Sequence, residues 1–246
     1  MLFRSLSELG VFYFRNARYD DALAVWRKAL HLTPDNVRIM GNLVAAYHSK
    51  AEYAEAANAA QRALELDPNA FTWANLGTQR YFQGSYADAV KATEKAVELD
   101  PKSYLWWGNL GDAYRWAPGM RSKASGAYAK AIPLAREKLG VSPNDAVVRS
   151  RLALYLVKAG DAAGALAEAA IVEKAPGNDP GTVFKTAVVY ELTQHREKAI
   201  AALKRAIDTG YTMHEVENEP ELAALRSDDR YRRLESATAA GKKVVQ

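Results

Sequence analysis

The chain is 246 residues long, 49% apolar and 25% charged, with 33 basic against 29 acidic side chains and a formal charge of +4. That apolar share excludes the disordered class, and no run of about 18 uncharged apolar residues is present to span a bilayer. Cysteine is absent, which excludes disulfides, thiolate nucleophiles and thiolate metal sites together.

The first residues, "MLFRSLSELGVFYFRNARYDD", interrupt their apolar run with Glu8 and offer no small-residue cleavage site. They read as folded structure rather than a secretory signal, and the cytoplasm is the default compartment. A period then becomes plain. Pro34, Pro68 and Pro101 are 34 and 33 residues apart, and Asn42, Asn75 and Asn109 follow at steps of 33 and 34. Each period carries a second-half pattern, "YDDALAVWRKAL" from Tyr19, "YAEAANAAQRAL" from Tyr53 and "YADAVKATEKAV" from Tyr86. Its alanines recur at two-turn spacing: Ala22 and Ala29, Ala56 and Ala63, Ala89 and Ala96. Each unit therefore reads as two antiparallel helices. In the third unit they run from about Ala70 to Gln83 and from about Tyr86 to Leu99, with Gly84 free to take a positive φ between them and Pro101 ending the second.

On the first helix of the third unit Trp73, Leu76, Gly77 and Arg80 share one side, as do Trp107, Leu110, Gly111 and Tyr114 in the fourth. This pattern predicts a large ring packed against a glycine, with Trp73 and Trp107 in the core and the second helix approaching closely at Gly77 and Gly111. The fourth unit inserts "APGM" and runs a longer second helix, about Met120 to Leu139, with a kink expected at Pro133. A fifth unit, near residues 145 to 178, keeps Leu152-Ala153, Gly160 and Ala165. The sixth shows Ala187, Tyr190, Ala199, Leu203 and Ala206. Beyond it "ENEPELAALRSDDRYRRLESATA" is amphipathic, with Leu222, Leu225, Tyr231 and Leu234 available to cover the last repeat.

These residues resemble the tetratricopeptide repeat, whose pattern of W, L-G, Y, A, F, A and P over about 34 residues appears in the first unit as Leu6, Leu9-Gly10, Tyr13, Ala22, Trp26, Ala29 and Pro34. The second unit departs from it with Met40 and Val44 where Trp and Gly would stand. The resemblance implies an all-α fold, a right-handed superhelical solenoid of about six helix-turn-helix repeats over residues 3–213. A C-terminal capping segment over 214–241 and a tail over 242–246 complete the expected organisation. The closing stretch also resembles the end of the repeat regions attached to bacterial Ser/Thr kinases, winged-helix regulators and cyclase-like proteins. Because the first repeat begins by Phe3, the chain is expected to be the downstream part of something longer; in the spacer reading below, the upstream part is a catalytic or DNA-binding domain.

Signals for chemistry are missing. The four histidines, His31, His48, His195 and His214, form no i, i+4 pair for a helical zinc site, and no phosphate loop, nucleotide-binding fingerprint or kinase motif appears. "HEVENE" from His214 reads as a polar link to the capping helix. Asp20-Asp21 and Asp228-Asp229 read as helix-start residues at the positive end of the dipole. The expectation is no enzyme, no cofactor and no metal. "RYRR", Arg230 to Arg233, and Lys242-Lys243 are too small a basic cluster for a nucleic-acid stripe and read as a solvated face and tail.

Residues two positions beyond the Trp on a first helix are rotated by about 200° from it. Asn42, Asn75 and Asn109 should therefore form a row of carboxamides on the inner wall, each offering a donor and an acceptor to an extended peptide backbone. Arg4, Arg38 and His48, then Phe71, Thr78 and Tyr81, then Asp112, Arg115 and Trp116 should line or edge that face. The basic residues point to a carboxylate or acidic segment in the ligand and the aromatics to an apolar anchor. The lysine and asparagine of the family's carboxylate-clamp subclass are replaced by Ser7 and Val11, so chaperone-tail binding is not expected. Two readings follow: a non-catalytic scaffold that binds an extended peptide or partner protein in its groove, with no nucleic acid and no membrane, or a self-association or spacer module of a larger regulatory protein.

Overall fold

The computed structural model describes the backbone of residues 2–175, 177 and 179–243 and the side chains of residues 5–175, 177 and 179–238. Expectations resting on the side chains of Phe3, Arg4, Lys242 and Lys243 lie outside the described residues. Among the described residues the chain forms fourteen α-helices and no strand. Backbone packing divides it into two units that meet inside one helix, residues 1–127 and 128–246.

The first unit holds α1 (Leu2–Arg15), α2 (Tyr19–Leu32), α3 (Val37–Ser49), α4 (Tyr53–Leu66), α5 (Ala70–Phe82), α6 (Tyr86–Leu99), α7 (Tyr104–Trp116) and the start of α8 (Arg121–Val141). Each of α1 to α7 packs on the next in sequence, and α1, α3, α5 and α7 also pack in succession. The alanine spacing does this. Ala22, Ala29, Ala56, Ala89 and Ala96 are fully buried, since a methyl group lets neighbouring backbones approach where a larger side chain would hold them apart. Closure of each helix pair uses one left-handed residue, Ala17 at φ 55°, Ala51 at φ 58° and Gly84 at φ 76°. Only the third of these is the glycine that such a conformation favours.

The close approach expected at Gly77 is present. A β-carbon there would stand 2.6 Å from Cγ2 of Thr93 and 3.4 Å from the Ala89 carbonyl oxygen of α6. The ring expected against a glycine is a different one. Trp26, from α2, lies over Gly10 of α1 and is almost wholly buried, and its Nε1 donates to the Ser7 carbonyl at 3.1 Å. Trp73 and Trp107, expected in the core, are only half-buried. Both stand in the first turn of their helix, and the Trp107 Nε1 donates to the Pro101 carbonyl at 2.9 Å. An indole that takes its acceptor from the preceding loop keeps one edge in water.

The second unit holds the rest of α8, which remains helical through Pro133, then α9 (Ala146–Ala159), α10 (Ala162–Lys174), α11 (Pro180–Leu192) and α12 (Arg196–Asp208). Tyr128 is fully buried, its ring stacked 6.2 Å from Tyr155. Asp145 and Asp179 cap α9 and α11 by accepting from the Val148 and Thr182 amides, each at 3.0 Å. A short α13 (Met213–Glu217), two single 3₁₀ turns at Pro220–Leu222 and Leu225–Ser227, and α14 (Asp229–Lys243) follow. Leu222, Leu225 and Tyr231 are buried and Leu234 half-buried. Arg226 ties this loop together, donating through Nη1 to the carbonyls of Val216, Glu217 and Glu219 at 3.3, 2.7 and 3.1 Å.

Candidate functional site

In the first unit α3 and α5 flank a cleft of about 280 Å³ that also touches Phe14 of α1. Its position follows from local sequence. Asn69 caps α5 by accepting from the Phe71 and Thr72 amides at 2.9 and 3.1 Å, while Thr72 Oγ1 accepts from the Asn69 amide at 3.0 Å. That reciprocal pair fixes the first turn of α5 and holds Phe71, 56% exposed, at the cleft mouth. Gly41 opposite leaves room, since a β-carbon there would already touch the Phe71 ring at 3.9 Å. The walls are largely apolar, from Phe14, Val44, Ala45 and Phe71.

Both flanking helices contribute polar groups to the cleft. His48 Nδ1 and Gln79 Oε1 are 3.0 Å apart, and the His48 ring packs edge-on against Phe82 at 4.8 Å and Tyr53 at 5.4 Å. Thr78 donates to the Ala74 carbonyl at 2.9 Å and accepts from Asn109 Nδ2 at 3.4 Å. Asn75 lines the cleft, and Asn42 stands on α3 with its side chain half-buried. Neither Asn42 nor Asn75 uses its carboxamide in a hydrogen bond among the described residues.

Of the predicted site residues, the structure brings His48, Phe71, Asn75 and Thr78 together in the cleft, with Asn109 joined to it through Thr78. Arg38 is exposed on the first turn of α3, outside the lining. Tyr81 packs elsewhere: its ring lies 5.5 Å from Tyr86 and against the cluster of Ala89, Val90, Ala113 and Ala117. Trp116 stacks on Tyr86 at 6.2 Å. Asp112 and Arg115 are half-buried on α7 and do not reach the cleft. Residues not anticipated are Phe14, Gly41, Val44, Ala45, Ser49 and Gln79. Their signal was available, since Gly41 and Ala45 are one turn apart on the same helical face as His48.

Other ionisable groups are engaged structurally. Tyr114 donates to Glu94 at 2.6 Å, and burial, reinforced by that carboxylate, pushes its phenol up to about 12. The arginines of the C-terminal basic cluster are largely paired, Arg230 with Asp228 at 2.8 Å and Arg232 with Asp229 at 3.2 Å. Among the described residues no group of His, Asp and Glu side chains could hold a metal ion, and no helix is long and apolar enough to cross a membrane.

The tetratricopeptide repeat family pattern matches residues 8–71 and 75–146, more than half of the chain. The chain belongs to the tetratricopeptide repeat family. Solved tetratricopeptide-type folds agree in architecture. A tetratricopeptide repeat protein from Parabacteroides merdae superposes with a TM-score of 0.60 at 19% identity, over 87% of this chain and 81% of that one. Pseudomonas aeruginosa pilF gives 0.51 at 21%, over 88% and 96%, and PilW, a type IV pilus biogenesis factor, gives 0.55 at 17%, over 92% and 99%. These identities establish the shared fold alone. No curated protein matches the chain in sequence. A tetratricopeptide fold is typically a protein-interaction scaffold.

Proposed function

We propose that the first unit is a non-catalytic scaffold that binds an extended peptide segment of a partner protein across α3 and α5. An apolar side chain of the ligand enters the cleft at Phe71, while Asn42 and Asn75 bracket its backbone. The observation that carries this reading is the uncommitted carboxamide of Asn75 in an apolar-walled cleft, with that of Asn42 on α3 likewise uncommitted. An amide holding no internal bond meets a peptide group without breaking anything. Arg38, exposed one turn before Asn42, supplies positive charge for an acidic ligand residue. The test is partner capture from lysate, with identification of what is lost, comparing the chain with an Asn42→Ala/Asn75→Ala variant. Loss of a partner by a variant that melts normally supports the site. A folded variant that retains every partner removes it.

One observation favours the second reading, self-association. Leu43, Leu76 and Leu110 are 4, 6 and 3% exposed, and Leu9, at the same repeat position, is 39% exposed. Likewise Ala46, Gln79 and Ala113 are buried, whereas Phe12 is 58% exposed. In the internal repeats these positions meet the second helix of the preceding repeat, so α1 presents an inter-repeat face that a second copy could cover. Mass in solution as a function of concentration separates the readings.

A further inference from the structure

α1 exposes a seam that α3 and α5 keep sealed. Helical spacing sets Ser5, Leu9 and Phe12 on one line, and all three are exposed. At the same repeat positions Ile39, Leu43 and Ala46 of α3 and Thr72, Leu76 and Gln79 of α5 are buried. What seals them is a helix. Leu43 shares a core cluster with Leu23 and Trp26 of α2, and Leu76 shares one with Ala57, Ala60 and Leu64 of α4. The seam on α1 is thus the free copy of a helix-to-helix interface that the fold uses twice more within the same unit.

Opposite charges flank the seam. Glu8 and Arg15 stand two turns apart on the same flank, about 10 Å along the helix. Both are exposed, and among the described residues neither side chain has an ion pair or a hydrogen bond.

We propose that α1 docks on α1 of a second copy of this chain, antiparallel about a two-fold axis, with Leu9 of each copy against Phe12 of the other and Glu8 of each paired with Arg15 of the other. The proposal rests on the self-association reading and gives it a partner surface and a geometry. Residues on one flank of a two-helix seam meet each other only when the helices run antiparallel, and flanking charges of this kind set helix orientation. The two-fold then makes the Glu8 to Arg15 pair twice. Head-to-tail stacking would instead need a free second helix at the far end of the repeats. That helix is taken: α14 packs on α12, and Leu222, Leu225 and Tyr231 of the closing segment are buried. A self-complementary patch closes on itself, so the assembly stops at two copies.

The test is sedimentation velocity on the full chain over a wide concentration range, with Glu8→Arg and Arg15→Glu as separate variants. The parent should reach a dimer and nothing larger. Either reversal alone turns both cross-pairs into like charges and should weaken dimerisation about tenfold. Mixing the two variants makes every cross-pair opposite again, so the mixture should recover parental affinity as a heterodimer. Both positions are exposed, and each variant should melt with the parent. A parent that stays monomeric throughout overturns the self-association reading and the pairing with it. A parent that self-associates but is indifferent to the reversals, is not rescued by mixing, or grows beyond two copies keeps that reading and overturns the α1 pairing.

Discussion

The indole of Trp26 occupies the space that a side chain at Gly10 would need: a β-carbon there would stand 2.5 Å from Cε2 of the ring. Trp26→Ala should therefore open a large void between α1 and α2 and cost about 3–5 kcal/mol, read as a lower urea midpoint. Gly10→Ala should destabilise too, by overpacking. Trp107→Ala, at a half-buried ring, should lose less than Trp26→Ala; the reverse order would displace Trp26 as the principal packing residue.

A second prediction concerns the left-handed turn residues. Ala17, Ala51 and Gln194 hold positive φ where Gly84 and Gly160 hold it elsewhere, and a β-carbon in that region costs about 1–2 kcal/mol. Ala51→Gly should raise stability by ~0.5–1 kcal/mol after the entropy cost of glycine, and Gly84→Ala should lower it by about 1. Denaturant midpoints should move while the slopes stay fixed.

The repeats were legible because their markers are redundant: proline, asparagine and paired alanines kept one period, and α6 begins and ends at the residues the spacing predicts. Trp73 and Trp107 pack against core clusters but stay half-buried, because repeat position sets the face a ring stands on, whereas its burial depends on which helix stands opposite. The cleft was half legible. Phe71, Asn75 and Thr78 follow from helical rotation, but Tyr81, one turn beyond Thr78, turns toward α6 and meets Tyr86.

A third prediction is a pH dependence. The Lys185 amine falls to about 8 in the folded chain from 10.5, so between these values the unfolded chain binds more protons and stability rises with pH. The penalty is full below about pH 8 and is relieved as pH approaches 10.5. Lys185→Met should be more stable than the parent at pH 7, with the difference shrinking by pH 10; a constant difference would place Lys185 in open water.

Fourth, if the exposed face of α1 mediates self-association, Leu9→Glu/Phe12→Glu should yield a monomer at concentrations where the parent forms larger species. Sedimentation velocity reads this directly. Both positions are solvent-exposed, so the melting temperature of the monomer should change little.

Within the first unit successive helices from α1 to α7 touch, and α1, α3, α5 and α7 also touch the matching helix one repeat away. A structure with only such short-range dependence has no fixed length: stability adds repeat by repeat. A copy of residues 70–103, spliced in after Ser103, would find Leu76 and Gln79 facing the same kind of helix they face now. The array would then gain one more half-exposed carboxamide and a second copy of the Phe71 wall, making the reach of its inner surface a quantity edited in whole repeats.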